Sequence, residues 1–492
     1  MIHISDLKKY IRCPLLYLKE LTTQKLEHPS FVRLDEKIID LVSCKLGVTD
    51  PFIGETGDST TRTIEALQTY DWLVRARFEY QGLRIKAPFL HRTAQGWDIY
   101  FIYTGLYPHA DDTIFYNAAL WVIQNCGVKI GEVRILHLNA KYERGEELDP
   151  DALFIITDSF YNAHNNPTLP IEETLAKKQM DFSSILKEMQ EATEKELPEP
   201  LRTVRCAGRR KCPYYDECFS FEIKEPDNSV LHLVNSQHRY DMYKKGLRTL
   251  KQVDLDLLEG SRMQYAQIRA DENGGLYADQ YALRSWLKNI SYPIAFLDFE
   301  WETFAVPPYK GMHPYDVLPF EYSLHIMQKD GTVTHKVYLN VHDDRRDMAE
   351  NLVRDIPKNG SIIAYNAMGA EMIRIQEFAD QFSDLKISLE NINHRMEDMQ
   401  LPFITGAVYD VRMRGSWSLK SIMAMMDDPG YKDLDISQGM DAVYQWRHLD
   451  YNDGTSVEEK AKIVEDLKRY CGMDSYAMTV VYKWLNEIAF KE

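Results

Sequence analysis

Short apolar runs and longer amphipathic stretches alternate through the C-terminal part of the chain. Apolar runs lie near residues 293–300, 320–327 and 334–341, and a fourth lies near 361–365. Runs of this length predict strands, whereas the stretches after them repeat apolar residues at helical spacing. Three strands followed by alternating helix and strand predict a mixed α/β domain over residues 289–492.

The first of these strands ends in two acids. It reads Ile-Ala-Phe-Leu-Asp-Phe-Glu from residue 294 to 300. Because residues two apart on a strand share a face, we expect Asp298 and Glu300 to lie side by side. Such a pair is costly to bury unless protons or a cation offset the charge, and oxygen ligands favour Mg²⁺ or Mn²⁺. The alternative is a strand that runs out into solvated acids.

The end of the chain carries a further acid on an apolar stripe. Residues 463–488 repeat apolar side chains at helical spacing and predict one amphipathic helix. Asp474 interrupts this stripe, and Tyr470 lies one turn before it. Carboxylates are rarely buried without a partner, so Asp474 is a candidate metal ligand. An Asp that caps or pairs locally is the alternative.

A third candidate follows the strand near 361–365. That strand ends at Asn366, and Glu371 opens the helical pattern that comes next. Acids are common in the first turn of a helix, because they interact favourably with its N-terminus. Glu371 is therefore a candidate ligand only in combination with the other carboxylates.

Taken together, these motifs resemble those of the DEDD 3′–5′ exonucleases: Asp-x-Glu, then Asn with an acid, then Tyr-x-x-x-Asp. The last spacing resembles the DEDDy subgroup. The resemblance implies an RNase H-like fold and a site for two Mg²⁺ or Mn²⁺ ions, with Tyr470 orienting the attacking water. The implied metal ligands are Asp298, Glu300, Glu371 and Asp474. The family has Asp where this chain has Glu371, and Asp398 is a spare acid that could substitute.

The sequence between these motifs resembles an uncharacterised bacterial family of predicted RecB-like nucleases. The resembling segments are residues 307–311, 314–315, 319–325, 415–420 and 470–474. In that family a RecB-type domain precedes an RNase H-like domain of unknown function. The resemblance implies an α/β and α+β multidomain chain, with an N-terminal restriction-endonuclease-like domain joined to the C-terminal domain by a helical region.

Residues 60–165 resemble the PD-(D/E)XK core of those nucleases without its chemistry. Pro88 stands where the family has a metal-binding Asp. The strand over 97–103 lacks the family's Glu and Lys, and Arg134 cannot replace that Lys equivalently. We therefore expect a degenerate nuclease fold, kept for binding or scaffolding.

The cysteines add a second candidate cofactor site. An odd count of seven, in a chain expected to be cytoplasmic, argues against structural disulfides. One early cysteine and three late ones resemble the iron–sulfur staple of RecB-type nucleases, which implies a 4Fe–4S cluster. Zinc would suit the same thiolates, and free buried cysteines are a third option. The four residues are Cys13, Cys206, Cys212 and Cys218.

The length of 492 residues, with 45% hydrophobic and 27% charged residues, predicts a globular chain of two to four domains. We expect a RecB-like lobe at 1–170, a helix and cysteine cluster at 171–225, a helical linker at 226–288 and the RNase H-like domain at 289–492. No apolar stretch approaches the roughly 18 residues that cross a bilayer, and the N-terminus has no signal-peptide layout. Both features predict a cytoplasmic protein without membrane contact.

The formal net charge of −17 limits the kind of binding partner that we expect. It argues against a broad basic surface for nucleic acid. The main hypothesis remains a divalent-metal-dependent 3′–5′ exonuclease acting on a single-stranded end of DNA or RNA, with a protein partner supplying affinity. The alternative is an inactive nucleic-acid-binding or scaffold protein in a DNA-repair or phage-defence complex. Hydrolysis of a small nucleotide is a third hypothesis, which the acidic charge favours.

Overall fold

The computed structural model describes residues 1–22, 37–207, 211–219, 226–426, 430, 439–450 and 454–491. They form two compact units. The first comprises residues 1–218 with 303–316, and the second comprises residues 219–302 with 317–492. Each unit contains helices and sheets, so the mixed α/β architecture expected from the sequence is confirmed. No helix in the described ranges combines the length and the apolarity needed to span a bilayer.

The first unit is built on a seven-stranded sheet. Its strands are β1 Ile2–His3, β2 Phe52–Ile53, β3 Trp72–Tyr80, β4 Leu83–Arg92, β5 Trp97–Tyr103, β6 Ile130–Leu138 and β7 Phe154–Thr157. A separate small hairpin consists of β8 Ser159–Tyr161 and β9 Pro167–Pro170. The strand order is β2-β3-β4-β5-β6-β7, with β1 paired to β4. β3, β4 and β5 pair antiparallel, whereas β5 and β6 pair parallel.

Helices cover this sheet and complete the first core. They are α1 Ile4–Arg12, α2 Pro14–Thr22, α3 Ile38–Leu46, α4 Thr60–Thr69, α5 Thr113–Asn125, α6 Pro150–Leu153, α7 Ile171–Lys177, α8 Phe182–Ala192 and α9 Tyr215–Cys218. Along β4 the buried residues Leu83, Ile85 and Ala87 alternate with the more exposed Arg84 and Lys86. This period of two packs one face of β4 into the core and leaves a cationic face opposite it.

The second unit begins with helices and short turns over the segment expected to be a linker. Its helices are α10 Arg239–Lys244, α11 Arg262–Glu272, α12 Gln280–Leu287, α13 Arg345–Asp355, α14 Glu371–Gln381, α15 Lys386–His394, α16 Leu401–Ile404, α17 Leu419–Met423, α18 Gly439–Asp450 and α19 Val457–Phe490. Its strands are β10 Leu276–Ala278, β11 Ile294–Thr303, β12 Val317–Met327, β13 Val333–Leu339, β14 Ile362–Ala364, β15 Met396–Asp398 and β16 Val408–Asp410.

The main sheet of the second unit has five strands in the order β13-β12-β11-β14-β15. β12 and β13 form an antiparallel hairpin, whereas β14 pairs parallel with both β11 and β15. The four strands predicted from the apolar runs are all present as β11 to β14. Because β11 and β14 run parallel, the residues that follow their apolar cores lie toward the same edge of the sheet.

The long C-terminal helix α19 packs against this sheet. A capping box starts it, because the Ser456 side chain accepts from the backbone N–H of Glu459 and the Glu459 carboxylate accepts from that of Ser456. The helix has 34 residues and so extends beyond both ends of the predicted 463–488 segment. Its buried side includes Leu467, Asp474 and Leu485, which places the acid inside the apolar stripe as the sequence predicts.

Candidate metal centre

Three of the predicted ligands come together in the second unit. Asp298, Glu300 and Asp474 each offer one carboxylate oxygen, and these oxygens lie within 4.8 Å of one another. β11 sets its two acids two residues apart on one face, and α19 contributes the third. Across the described ranges no other group of three acid, histidine or cysteine side chains is this compact. Acids from distant parts of the chain thus converge, and their carboxylate oxygens form a candidate metal site.

The electrostatics of this group favour protons or a cation. Burial, Asp474 and Glu300 raise the pKa of Asp298 well above its usual range. Burial and Asp474 do the same to the pKa of Glu300, while Lys420 opposes the shift. Carboxylates this close cannot all be ionised without compensation. Divalent ions bound by oxygen ligands supply it, so the donor set fits Mg²⁺ or Mn²⁺.

Glu371 is not part of this group of three acids, but it lies near enough for its charge to act on Asp298. It is the first residue of α14, as the sequence predicts, and only 2% of its surface is exposed. Its Oε2 has no hydrogen-bond partner among the described residues. Burial raises its pKa to about 8, with hydrogen bonds to backbone groups of Glu371 and Phe299 acting in the opposite direction. An orphaned carboxylate oxygen at this place fits a ligand of a further cation.

Asp398, the spare acid, uses its carboxylate to accept hydrogen bonds from the backbone. It ends β15 and is buried. Its Oδ1 accepts hydrogen bonds from the backbone N–H of Asn366, at 3.0 Å, and of Gln400, at 2.8 Å. These bonds fix the turn that leads from β14 toward Glu371. We therefore assign Asp398 to the shape of that turn.

Tyr470 is buried on α19, one turn before Asp474. Its hydroxyl oxygen accepts a hydrogen bond of 2.8 Å from Nζ of Lys420, and that ammonium lies 4.7 Å from the centre of the tyrosine ring. Lys420 belongs to α17 and opposes the rise in the pKa of Glu300 that burial and Asp474 cause. A cation therefore borders the acidic group on the tyrosine side.

Two further residues at the centre were not predicted as site residues. Lys420 lies within the segment 415–420, whose family resemblance was the available signal. Glu321 on β12 is a fully buried acid whose charge acts on Glu300. Glu321 also lies within a resembling segment, 319–325, but its strand pattern did not indicate burial, because acids at alternate positions of a strand ordinarily face solvent.

A pair of histidines near α19 is satisfied within the protein. Nδ1 of His325 lies 2.7 Å from the hydroxyl of Ser475, and the His325 ring stacks on His335 with 4.3 Å between the ring centres. Burial, followed by the neighbouring His335, lowers the pKa of His325 to about 4. His325 is therefore neutral at physiological pH and serves packing between β12 and α19.

The four predicted cysteines meet in the first unit. Cys13, Cys206, Cys212 and Cys218 line one pocket, and all are free thiols. Burial raises the pKa of Cys218, and the three other cysteines add to the rise. Arg202 donates from Nε to the carbonyl oxygen of Cys218 at 2.7 Å, which ties the last cysteine to this pocket.

Four thiolates that line one pocket are the donor set of a 4Fe–4S cluster and also of a tetrahedral zinc ion. The residues present therefore fit either group.

Comparison with known proteins finds one family model that matches part of the chain. A family model described as "Domain of unknown function (DUF2779)" matches residues 295–418. The matched range includes Asp298, Glu300 and Glu371, and it stops before Lys420, Tyr470 and Asp474. Comparison with curated proteins and with solved structures finds no significant match.

Proposed function

We propose that the second unit is a divalent-metal-dependent 3′–5′ exonuclease that acts on DNA or RNA and has an RNase H-like fold. The proposal depends on one observation, the convergence of Asp298, Glu300 and Asp474 within 4.8 Å. The strand and the long helix that supply them agree with the motif order of the DEDD exonucleases. The buried Glu371 beside them completes a set of four carboxylates.

The chemistry assigned to this site is phosphodiester hydrolysis. When bound, two divalent ions would supply an activated water and offset the charge on the departing 3′ oxygen. Asp298, Glu300, Asp474 and Glu371 would hold those ions. Tyr470 would orient the water through its hydroxyl, whose direction is fixed by the hydrogen bond from Lys420. The Lys420 ammonium would face the scissile phosphate and stabilise its negative charge.

The experiment uses single strands labelled at the 3′ or the 5′ end. The full chain is incubated with Mn²⁺ or with a chelator, and product lengths are followed with time. We expect stepwise shortening from the 3′ end that requires Mn²⁺ and is lost in Asp298→Asn and Asp474→Asn. Glu390→Gln, a half-exposed acid of α15 away from the site, is the matched control and should retain activity. Activity that survives in Asp298→Asn would overturn the proposal.

A second candidate function follows from a cluster of cations in the first unit. Arg77 of β3 lies directly opposite Lys86 of β4 in the antiparallel register, and Arg84 lies two residues before Lys86. Like charges placed opposite each other destabilise a sheet. Burial, Arg84 and Arg75 all lower the pKa of Arg77. This face also carries Glu79, directly opposite Arg84, so four cations face one acid. In a chain with net charge −17, such a cationic face favours an anionic partner.

We propose that this cationic face, formed by Arg75, Arg77, Arg84 and Lys86, binds the phosphate backbone of nucleic acid. The first unit would then be a degenerate PD-(D/E)XK domain that holds substrate, or that acts in an inactive binding or scaffold protein. Asp58, the acid that acts on Arg77, is itself paired with Arg62, so it neutralises little of the face. The two candidate functions separate in the labelled-strand assay, because a scaffold binds the strand without shortening it.

A further inference from the structure

Glu321 is a buried acid for which the described residues supply no hydrogen-bond partner. It lies in β12, its side chain is fully buried, and neither carboxylate oxygen has a hydrogen-bond partner among the described residues. Buried carboxylates are ordinarily paired or bound to a cation, because removing their charge from water is costly. Such an acid calls for a compensating partner.

A second buried acid of the same unit shows what an ordinary solution looks like. Glu302 of β11 is also fully buried. Arg447 donates to both of its oxygens, from Nε and from Nη2 at 3.0 Å. This two-point contact satisfies the carboxylate. Among the described residues Glu321 has no such contact, so its environment differs from that of a structural ion pair.

The geometry of β12 directs Glu321 toward the metal centre. Tyr322 and Leu324 point into the core on one face of the strand. Ser323 and His325 point to the other face, where both contact the hydroxyl of Ser475 on α19. Glu321 shares the face of Ser323, so it also points toward α19. The neighbouring strand β11 carries Glu300, and a carboxylate oxygen of Glu300 lies within 4.8 Å of one of Asp474 on α19.

The charges at this junction agree with that placement. Two residues of α19 act on Glu321: Lys468 lowers its pKa, and Asp474 adds to the rise that burial causes. Glu321 in turn raises the pKa of Glu300. Glu371, the first residue of α14, raises the pKa of both Asp298 and Glu300. The three clustered acids therefore have two further buried acids as neighbours, Glu321 from β12 and Glu371 from α14.

We infer that Glu321 is a fifth carboxylate of the metal centre, which binds a divalent cation on the side of Glu300 and Asp474. This inference rests on the metal centre of the proposed function. Glu321 does not belong to the compact group of three oxygens. Glu321 reaches the centre from β12, whereas Glu371 reaches it from α14, so the two acids mark separate positions for a cation. Two such positions, sharing Asp474, are what a pair of metal ions requires.

The test counts bound Mn²⁺ in the purified full chain by electron paramagnetic resonance and calorimetry. We expect two ions in the wild type. Glu321→Gln should retain one ion at nearly unchanged affinity and bind the second at least about tenfold more weakly. Glu321→Leu should behave in the same way, and in metal-free buffer it should melt no lower than the wild type, because it removes a buried carboxyl group to which the described residues offer no hydrogen bond.

The outcomes separate this inference from the proposed function. Two ions bound with unchanged affinity in Glu321→Gln and Glu321→Leu would overturn the role of Glu321 and leave the exonuclease proposal standing. A wild-type chain that binds one ion would also overturn it. A wild-type chain that binds none would overturn both. If Glu321→Gln does not fold, Glu321→Leu and Glu321→Asp decide by the same count.

Discussion

Nζ of Lys420 donates a hydrogen bond of 2.8 Å to the hydroxyl oxygen of Tyr470 while lying 4.7 Å from the centre of its ring. One lysine thus holds the tyrosine in two ways, and it also opposes the rise in the pKa of Glu300 that burial and Asp474 cause. The contact links the short helix α17 to the long helix α19 beside the carboxylates. Lys420 therefore has a position from which it can act on both substrate charge and tyrosine orientation.

Removing either partner should slow the chemical step. We expect Lys420→Met and Tyr470→Phe to lower kcat by about 10²-fold each, the order of magnitude that a positioned polar group contributes. Because the two residues act as a unit, the double variant should lose far less than the product of the single losses. Single-turnover rates at saturating substrate measure this.

The pH profile distinguishes these roles from a structural one. Without Lys420 the opposing influence on Glu300 is gone, so the pKa of Glu300 rises further and metal binding should require higher pH. Lys420→Met should therefore shift the rate profile to higher pH, whereas Tyr470→Phe should not. Lys386→Met, on the surface of α15, serves as the control. Unchanged kcat in both site variants would contradict the assignment.

Stability of the metal-free chain should fall as pH rises from about 5 to 8. Burial raises the pKa of Glu371 from 4.5 to about 8 in the folded chain. Between these values the folded state binds more protons than the unfolded state, so the free energy of unfolding decreases with increasing pH. Above about pH 8 this contribution no longer changes. Melting temperatures across that range measure the trend.

Added Mn²⁺ should counteract the loss of stability with rising pH. The carboxylates must release protons to bind metal, so affinity for Mn²⁺ rises over the same interval. The stabilisation by a fixed Mn²⁺ concentration should then be larger at about pH 8 than at about pH 6. Glu371→Gln should make the metal-free profile less steep, because an amide does not titrate, while Asp298 and Glu300 still do. A metal-free wild-type chain that becomes more stable toward high pH would refute the expected ionisation behaviour.

The positions of the three clustered acids could be read from local patterns. Asp298 and Glu300 follow from the period of a strand, and Asp474 follows from an interruption in a helical stripe. Glu321 could not be found in this way. Its strand alternates apolar and polar residues, which ordinarily indicates one solvated face. Here α19 covers that face, and only the tertiary structure shows it.

Glu371 illustrates a different limit. The sequence predicts its place at the start of a helix, and α14 begins at this residue. Its distance from the other acids depends on the turn over residues 365–370, where Asn366 adopts φ 64° and Asp398 accepts from its backbone. Non-local contacts fix such a turn, so local patterns do not report the separation. The strands and helices themselves were predictable because they depend on local periodicity.

The cysteine pocket should hold an iron–sulfur cluster. After anaerobic purification we expect a brown protein with about four irons and four sulfides per chain. Cys206→Ser should lose the colour, and Cys44→Ser, which changes an exposed cysteine of α3, should keep it. Visible absorbance and metal analysis measure both. A colourless protein with a single zinc ion in each chain would contradict the cluster.

The cationic face on β3 and β4 should carry nucleic-acid affinity independently of cleavage. Asp298→Asn serves as the background, so that bound strands stay intact. In this background Arg77→Glu and Lys86→Glu should weaken binding of a single strand by about tenfold or more, because each replaces an attraction to phosphate by a repulsion. They should also reduce the slope of log K against log salt by about 0.7 for each phosphate that the face no longer neutralises. Fluorescence anisotropy at several salt concentrations measures both quantities.

The control for this prediction is Lys187→Glu, which changes the charge equally on an exposed position of α8 in the same unit. It alters the net charge of the chain by the same amount but leaves the cationic face intact. If general electrostatic attraction governs binding, all three variants should weaken it alike, and the face has no special role. If Arg77→Glu and Lys86→Glu weaken it while Lys187→Glu does not, binding is local to β3 and β4. In that case bound phosphate should also reduce the repulsion between the like charges of Arg77 and Lys86, which lie opposite each other in the sheet.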